Sequence, residues 1–162
     1  MSDLTDLYQE IILDHNKRPR NFRKIDQPTH FAEGHNPLCG DELSIFLDVQ
    51  NEKIDDVSFD GQGCAISKAS ASLMTARLKG KTIEEAREVI SEVRKLLIGP
   101  EESEPDFETL GDIAALEGVK KFAVRVKCAT LACHALEAAL EGKSTTSTAS
   151  SSLSSHNFSG TF

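Results

Sequence analysis

The first part of the chain carries a helical pattern of apolar positions. Between Asp3 and Asn16 the apolar side chains recur three and four positions apart, as on one stripe of an amphipathic helix: Leu4, Leu7, Tyr8, Ile11 and Ile12. The residue before Pro19 is biased out of the helical conformation, so the helix is predicted to end there. The segment from Phe22 to Gly34 shows no clear period and reads as a loop with room for one short strand.

Two stretches with alternating apolar and polar residues follow this loop. The first strand is predicted over residues 42–49, and the second over residues 54–59. The short polar segment 51–53 joins them, which predicts an antiparallel hairpin. One face of the hairpin would carry the apolar side chains Leu43, Ile45, Leu47, Val49, Ile54, Val57 and Phe59.

The second half of the chain reads mainly as helices. A helix with many small residues is predicted from Cys64 to Lys79, and Thr82 with Glu85 forms a capping box for the next one, which runs to about Leu97. An acidic loop over residues 99–108 and a short helix over residues 110–116 follow. The alternation of Phe122, Val124 and Val126 favours a brief extended segment, before a final helix over residues 129–140.

Composition and charge narrow the class of protein. The 162 residues suit one domain, predicted over residues 1–142, and the Ser/Thr-rich residues 143–162 are predicted to be a disordered tail. A formal net charge of −8 argues against nucleic-acid binding, although residues 15–20 form a local basic patch. With neither a signal-peptide pattern nor a long apolar run, we expect a cytoplasmic protein that makes no membrane contact, with reduced thiols.

Three cysteines lie at the boundaries of predicted elements. Cys39 and Asp41 are separated by Gly40, which permits a bend that lets a thiolate and a carboxylate converge. Cys64 and Cys128 each stand where a helix is predicted to begin, and free backbone N–H groups there favour an anionic thiolate. Three thiolates and a carboxylate suit tetrahedral Zn²⁺ or a cluster iron. From the spacing alone, a metal site and three partly buried cysteines near turns remain equally open.

The fourth cysteine is predicted to lie in the core. Cys133 is five positions after Cys128, about 140° around a helix, so the two do not easily share one ligand sphere. It falls on the apolar stripe of the last helix, where a free cysteine behaves as a small hydrophobic residue. His35 is close to Cys39 in sequence, which leaves open whether it approaches the site or is an ordinary loop histidine.

Three sequence motifs resemble those of the IscU/NifU-N-like family of iron–sulfur cluster assembly proteins. They span residues 36–41 (Asn-Pro-Leu-Cys-Gly-Asp), residues 61–67 (Gly-Gln-Gly-Cys-Ala-Ile-Ser) and residues 125–129 (Arg-Val-Lys-Cys-Ala). The opening helix is also similar, so the resemblance extends from about Leu4 to Leu140. It implies an α+β fold with a small antiparallel sheet of about three strands and with helices packed on one face.

Within this family the chain is most similar to the SufU branch. The scaffold branch carries a histidine immediately before its third cysteine, where this chain has Lys127, and it has a shorter segment between the second and third cysteines. The resemblance implies a zinc-dependent sulfurtransferase that accepts persulfide sulfur from a SufS-like cysteine desulfurase and works with downstream iron–sulfur assembly proteins. The alternative is a scaffold that assembles a transient [2Fe–2S] cluster.

The resemblance also implies roles for individual residues. Cys39, Asp41, Cys64 and Cys128 would hold the metal, and Cys39 would leave it when a histidine of the partner replaces it. We predict Cys39 as the sulfur acceptor, because its loop is expected to be the most mobile and exposed of the three. Arg125 and Lys127 are candidates for positions beside the ligands, although an ordinary surface arginine explains Arg125 equally well.

Overall fold

A computed structural model describes residues 2–37, 39–100, 104–142 and 145–147. The elements in chain order are helix α1 (Ser2–Lys17), strands β1 (His30–Asn36), β2 (Asp41–Gln50) and β3 (Lys53–Gln62), helices α2 (Ala65–Leu78), α3 (Ile83–Ile98) and α4 (Phe107–Leu110), a 3₁₀ helix (Gly111–Lys121), helix α5 (Ala123–Leu140) and strand β4 (Thr145–Ser147). Within these residues, no helix combines the length and the apolar character that a membrane span requires.

The strands form one sheet in the order β3-β2-β1-β4. β1, β2 and β3 are antiparallel, as predicted, and β2 and β3 form the expected hairpin. The strand expected in the loop after α1 is real and extends to Asn36, which pairs with Asp41 across the turn between β1 and β2. This pairing matters for function, because it fixes both ends of the turn that carries Cys39.

One face of the sheet is covered by helices and holds the core. The alternating apolar residues of β2 and β3 point to this face, and Ile45, Leu47 and Val57 are fully buried there. α5 packs against β1 and β2, whereas α2 packs against β3 and α5. Small buried residues on α2 allow this close approach. The capping box of α3 is present, with Thr82 and Glu85 each accepting the other's backbone N–H group.

The extended segment predicted around Phe122, Val124 and Val126 is wrong. α5 begins at Ala123, so Cys128 lies in the second turn of this helix and does not open it. The period of two was misleading because it did not reflect a buried strand face: the side chains of Phe122 and Val124 are 60% and 55% exposed. The buried face of α5 begins at Cys128 and continues to Leu140.

Two further segments differ from the sequence predictions. The short helix predicted at residues 110–116 is an 11-residue 3₁₀ helix, and the single α-helical turn α4 precedes it. Three residues of the predicted disordered tail, Thr145–Ser147, form β4, which pairs parallel with β1. The rest of that tail lies outside the described residues, and its disorder stays a prediction.

Candidate metal centre

The turn between β1 and β2 presents Cys39 to solvent and holds Asp41 inside. The backbone carbonyl of Asn36 accepts hydrogen bonds from the N–H groups of Cys39 (3.2 Å) and Gly40 (2.8 Å). Gly40 has φ +72°, the left-handed conformation that its position between Cys39 and Asp41 predicted. The Cys39 side chain is therefore exposed at the turn, whereas Asp41, the first residue of β2, is only 1% exposed.

Cys64 meets Asp41 at the beginning of α2. It is the N-cap residue, as expected for a cysteine that opens a helix, and its backbone N–H donates to Asp41 Oδ1 over 2.7 Å. Its Sγ atom lies 3.8 Å from Asp41 Oδ2. Gly63 makes this contact feasible, since a Cβ atom there would lie 2.5 Å from Asp41 Oδ1 and 2.9 Å from Ser67 Oγ. The glycine before Cys64 is thus required for close packing.

Cys128 reaches the same place from the interior of α5. Its side chain is fully buried, and its Sγ atom lies 3.4 Å from Cys39 Sγ. Its thiol donates to the carbonyl oxygen of Val124, 3.6 Å away in the preceding helical turn. Burial, reinforced by the neighbouring side chains of Cys39, Cys64 and Asp41, raises the pKa of the Cys128 thiol far above its ordinary value.

The donor atoms of Cys39, Asp41 and Cys128 all lie within 4.8 Å of one another, and this group could hold a metal ion. Cys64 adjoins the group on the side of Asp41. Soft sulfur donors with one carboxylate suit zinc or an iron–sulfur centre better than a hard cation such as Mg²⁺. Because burial and then the neighbouring side chains raise the pKa of the Cys128 thiol, its thiolate form is unfavourable unless a cation compensates the charge, which fits a metal site.

One residue of this site was missed in the sequence. The side chain of Asn36 is fully buried, and its Nδ2 atom donates to Asp41 Oδ2 over 3.3 Å and to Cys128 Sγ over 3.6 Å. The sequence held one signal for it: Asn36 stands five residues before Asp41, at the opposite end of a turn that a hairpin would close. Only the register of β1 and β2 shows that these two residues are partners.

The remaining candidates divide into core and surface positions. Cys133 is buried with its sulfur 3.8 Å from the sulfur of Met74, and burial raises the pKa of its thiol to about 12, which confirms the prediction of a core cysteine. Arg125 is exposed near the start of α5, and Lys127 is half-buried. His35 is exposed, and strand alternation places it on the face of β1 opposite to Asn36, away from the donor group.

Comparison with known proteins gives consistent matches along most of the chain. The model of the NifU-like N-terminal domain family matches residues 7–141. The chain is 41% identical over 136 residues to the zinc-dependent sulfurtransferase SufU of Bacillus subtilis, and the alignment covers 84% of this chain and 90% of that protein. It is 38% identical over 141 residues to the iron–sulfur cluster assembly scaffold protein IscU of Streptococcus pyogenes, covering 87% of each.

A solved structure agrees with the fold. The crystal structure of a SufU protein from Fervidobacterium islandicum, described as an iron–sulfur cluster assembly scaffold protein for the SUF system, superposes with a TM-score of 0.76. The two chains are 38% identical, and the alignment covers 81% of this chain and 94% of that one. The α+β architecture predicted from the sequence is therefore confirmed both by the strands and helices themselves and by a related structure.

Proposed function

The chain belongs to the family of NifU-like N-terminal domains, and we propose that it acts in iron–sulfur cluster assembly as a zinc-dependent sulfurtransferase that accepts persulfide sulfur from a cysteine desulfurase. The observation that carries this proposal is the contrast within the donor group. An exposed thiol, Cys39, stands in a turn only 3.4 Å from the buried thiol of Cys128. The similarity to a zinc-dependent sulfurtransferase supports the same function.

The residues that would hold zinc are Cys39, Asp41, Cys64 and Cys128. When bound, zinc would keep the thiols deprotonated at neutral pH and would mask Cys39 until a partner protein engages the site. The protein contributes position: the N–H group of Cys64 fixes one oxygen of Asp41, and the burial of Cys128 fixes its sulfur against α5. Backbone hydrogen bonds from the N–H groups of Cys39 and Gly40 close the turn, which can present the Cys39 sulfur outward.

The transfer step needs one nucleophile and no external oxidant or reductant. The Cys39 thiolate attacks the outer sulfur of the desulfurase persulfide, and a new bond forms between that sulfur and Cys39 Sγ. The sulfur–sulfur bond of the donor breaks, and its electron pair remains on the desulfurase cysteine, which leaves as a thiolate. The products are a persulfide on Cys39 and a regenerated desulfurase thiolate.

A surface beside the site supports a protein as the sulfur donor. Phe122 and Val124 expose more than half of their side chains at the start of α5, next to the helical turn that carries Cys128. Adjacent exposed aromatic and aliphatic side chains are typical of surfaces that partner proteins cover. A desulfurase that reached Cys39 would also have to approach this end of α5.

Cluster assembly is the second candidate function. It is favoured by the similarity to the scaffold protein of Streptococcus pyogenes. Against it stands Lys127, at the position where scaffold-type members of the family carry a histidine. The two functions differ in the chemical product, since a scaffold would hold iron and sulfide and a sulfurtransferase would hold a persulfide.

Sulfur transfer from a purified cysteine desulfurase tests the proposal. Cys39→Ala is expected to lower the stimulation of desulfurase turnover by at least about a hundredfold, because the attacking sulfur is absent. Cys133→Ala is the matched control, because it removes a buried thiol outside the donor group and should leave stimulation unchanged. Mass spectrometry of the wild type should show one added sulfur on Cys39. Full stimulation by Cys39→Ala, or a reconstituted [2Fe–2S] cluster as the transferable product, would refute sulfur transfer.

A further inference from the structure

We propose that Asn36 is a positioning residue of the candidate metal centre. Its side chain holds Asp41 and Cys128 together while the Cys39 ligand exchanges. Asn36 is fully buried and lies at the junction of the turn with β1. The exchange of Cys39 rests on the proposed function, whereas the contacts of Asn36 with Asp41 and Cys128 do not. The two parts can therefore be tested separately.

The side-chain amide of Asn36 bridges two ligands that come from distant parts of the chain. Its Nδ2 atom is 3.3 Å from Asp41 Oδ2 and 3.6 Å from Cys128 Sγ. An amide N–H group that donates to a carboxylate or a thiolate compensates part of the negative charge and restricts its position. In a cluster of three thiols and one carboxylate, two such bonds from one side chain reduce the repulsion between its partners and fix their separation.

The backbone of the same residue controls the turn. Its carbonyl oxygen accepts the hydrogen bonds from Cys39 and Gly40 that close the turn. Any residue at this position retains that carbonyl group, so these two backbone hydrogen bonds do not depend on the asparagine side chain. Substitution of Asn36 therefore removes the bridge between the ligands without removing the hydrogen bonds that shape the Cys39 turn.

The bridge distinguishes Cys128 from Cys39. Cys128 receives an N–H group from Asn36, and Asp41 receives one from Asn36 and another from the backbone of Cys64. In the described part of the chain, the polar contact of Cys39 Sγ is with Cys128 Sγ, and no N–H group donates to it. Release of Cys39 therefore gives up this sulfur–sulfur contact but none of the N–H hydrogen bonds that hold Asp41 and Cys128 in place.

Two substitutions separate positioning from simple packing. Asn36→Leu has nearly the size and shape of asparagine, but it has no N–H donor and no charge. Asn36→Ala removes the donor and also leaves space. If the amide acts as a donor to the ligands, both variants should bind zinc more weakly than the wild type and by similar factors. If only the volume of the side chain mattered, the leucine variant would bind zinc as tightly as the wild type.

Zinc affinity, measured by competition with a chromophoric chelator, is the test. Both variants are expected to bind about tenfold to a hundredfold more weakly than the wild type, as is usual when a hydrogen-bond partner of a metal ligand is removed. Ser70→Ala is the matched control, because it removes another buried hydrogen bond, 2.7 Å to the carbonyl oxygen of Ala129, outside the donor group. Wild-type affinity in Asn36→Leu would overturn the proposal, because it would show that the volume of the side chain alone matters.

A measurement on the wild type covers the case in which neither variant folds. The side-chain amide protons of Asn36 should shift in the NMR spectrum and become protected from exchange when zinc is added, and unchanged resonances would refute the bridge. Neither measurement requires a desulfurase. Failure of wild-type protein to accept sulfur would therefore refute the proposed function alone, whereas unchanged zinc affinity in the variants would refute the role of Asn36 alone.

Discussion

Two regions of very different character bring their cysteines within 3.4 Å of each other: the turn over residues 36–41 and the second turn of α5. The turn is closed by two backbone hydrogen bonds, and its tip lies at the surface and exposes Cys39. The α5 region is part of the core, and it buries Cys128 completely. The two sulfurs are alike in chemistry and opposite in the environment that holds them.

This difference supports the different roles proposed for the two cysteines. A ligand on an exposed turn can change partners at little cost, because few packing contacts depend on its position. A ligand in the core moves only if the surrounding side chains repack, which is unfavourable in a close-packed interior. A sulfur carrier needs both kinds, one ligand to exchange and others to retain the metal in the meantime.

The largest expected effect compares alanine at the two positions. Cys39→Ala and Cys128→Ala should each weaken zinc binding by at least about a hundredfold, since each removes a donor. In the metal-free protein, Cys39→Ala should change the free energy of unfolding by less than about 0.5 kcal/mol, because the side chain is exposed. Cys128→Ala should lower it by about 1–2 kcal/mol, because it leaves a cavity. Urea denaturation measures the free energy of unfolding, and chelator competition measures the zinc affinity. Equal stability of the two metal-free variants would contradict the contrast between an exposed and a buried cysteine.

A pH titration sharpens the contrast between the exposed turn and the buried helix, because it tests how closely α5 is packed at a position away from the site. Burial, with the positive charges of Arg94 and Lys127 nearby, lowers the pKa of His134 to about 4. As the pH falls, His134 of the unfolded chain is therefore protonated first, at about pH 6.5. The contribution of neutral His134 to the free energy of unfolding is fully present above this pH and is lost as the pH falls towards 4. We expect a loss of about 2 kcal/mol from this residue, after allowance for its partial exposure to solvent.

The control for this titration is His134→Gln, which keeps a polar side chain and removes the titration. Urea denaturation of the metal-free protein at several values between pH 4 and pH 7 should give a flatter profile for this variant. Because burial also lowers the pKa of His15, some dependence on pH should remain. Parallel profiles for the wild type and His134→Gln would show that His134 is solvated and that water reaches this part of α5.

The smallest effect concerns the second cysteine of α5. Cys133→Ala should lower the free energy of unfolding by about 1 kcal/mol, because the buried thiol packs against Met74 and leaves a small cavity. Zinc affinity should stay at the wild-type value, since Cys133 lies on another face of the helix. A measurable loss of zinc affinity would show that the helix transmits packing changes to Cys128, five residues away, and would weaken the division between core and site.

Much of the fold could be predicted from local patterns. The hairpin of β2 and β3 follows from the alternation of apolar residues, and the start of α3 follows from Thr82 and Glu85. The start of α5 could not be found in this way. Phe122, Val124 and Val126 alternate like a strand, and their true conformation depends on where the rest of the helix packs against the sheet.

The site shows the same division between local and long-range information. The sequence by itself determined the candidate ligand types, the bend at Gly40, the helix that begins after Cys64 and the separation of Cys133 from the donor group, because each depends on neighbouring residues. Tertiary structure alone decided that Cys128 is buried within a helix and that Asn36 bridges Asp41 and Cys128. The bridge joins residues 92 positions apart in the chain, and a contact over that distance exists only after the sheet has formed and α5 has packed on it.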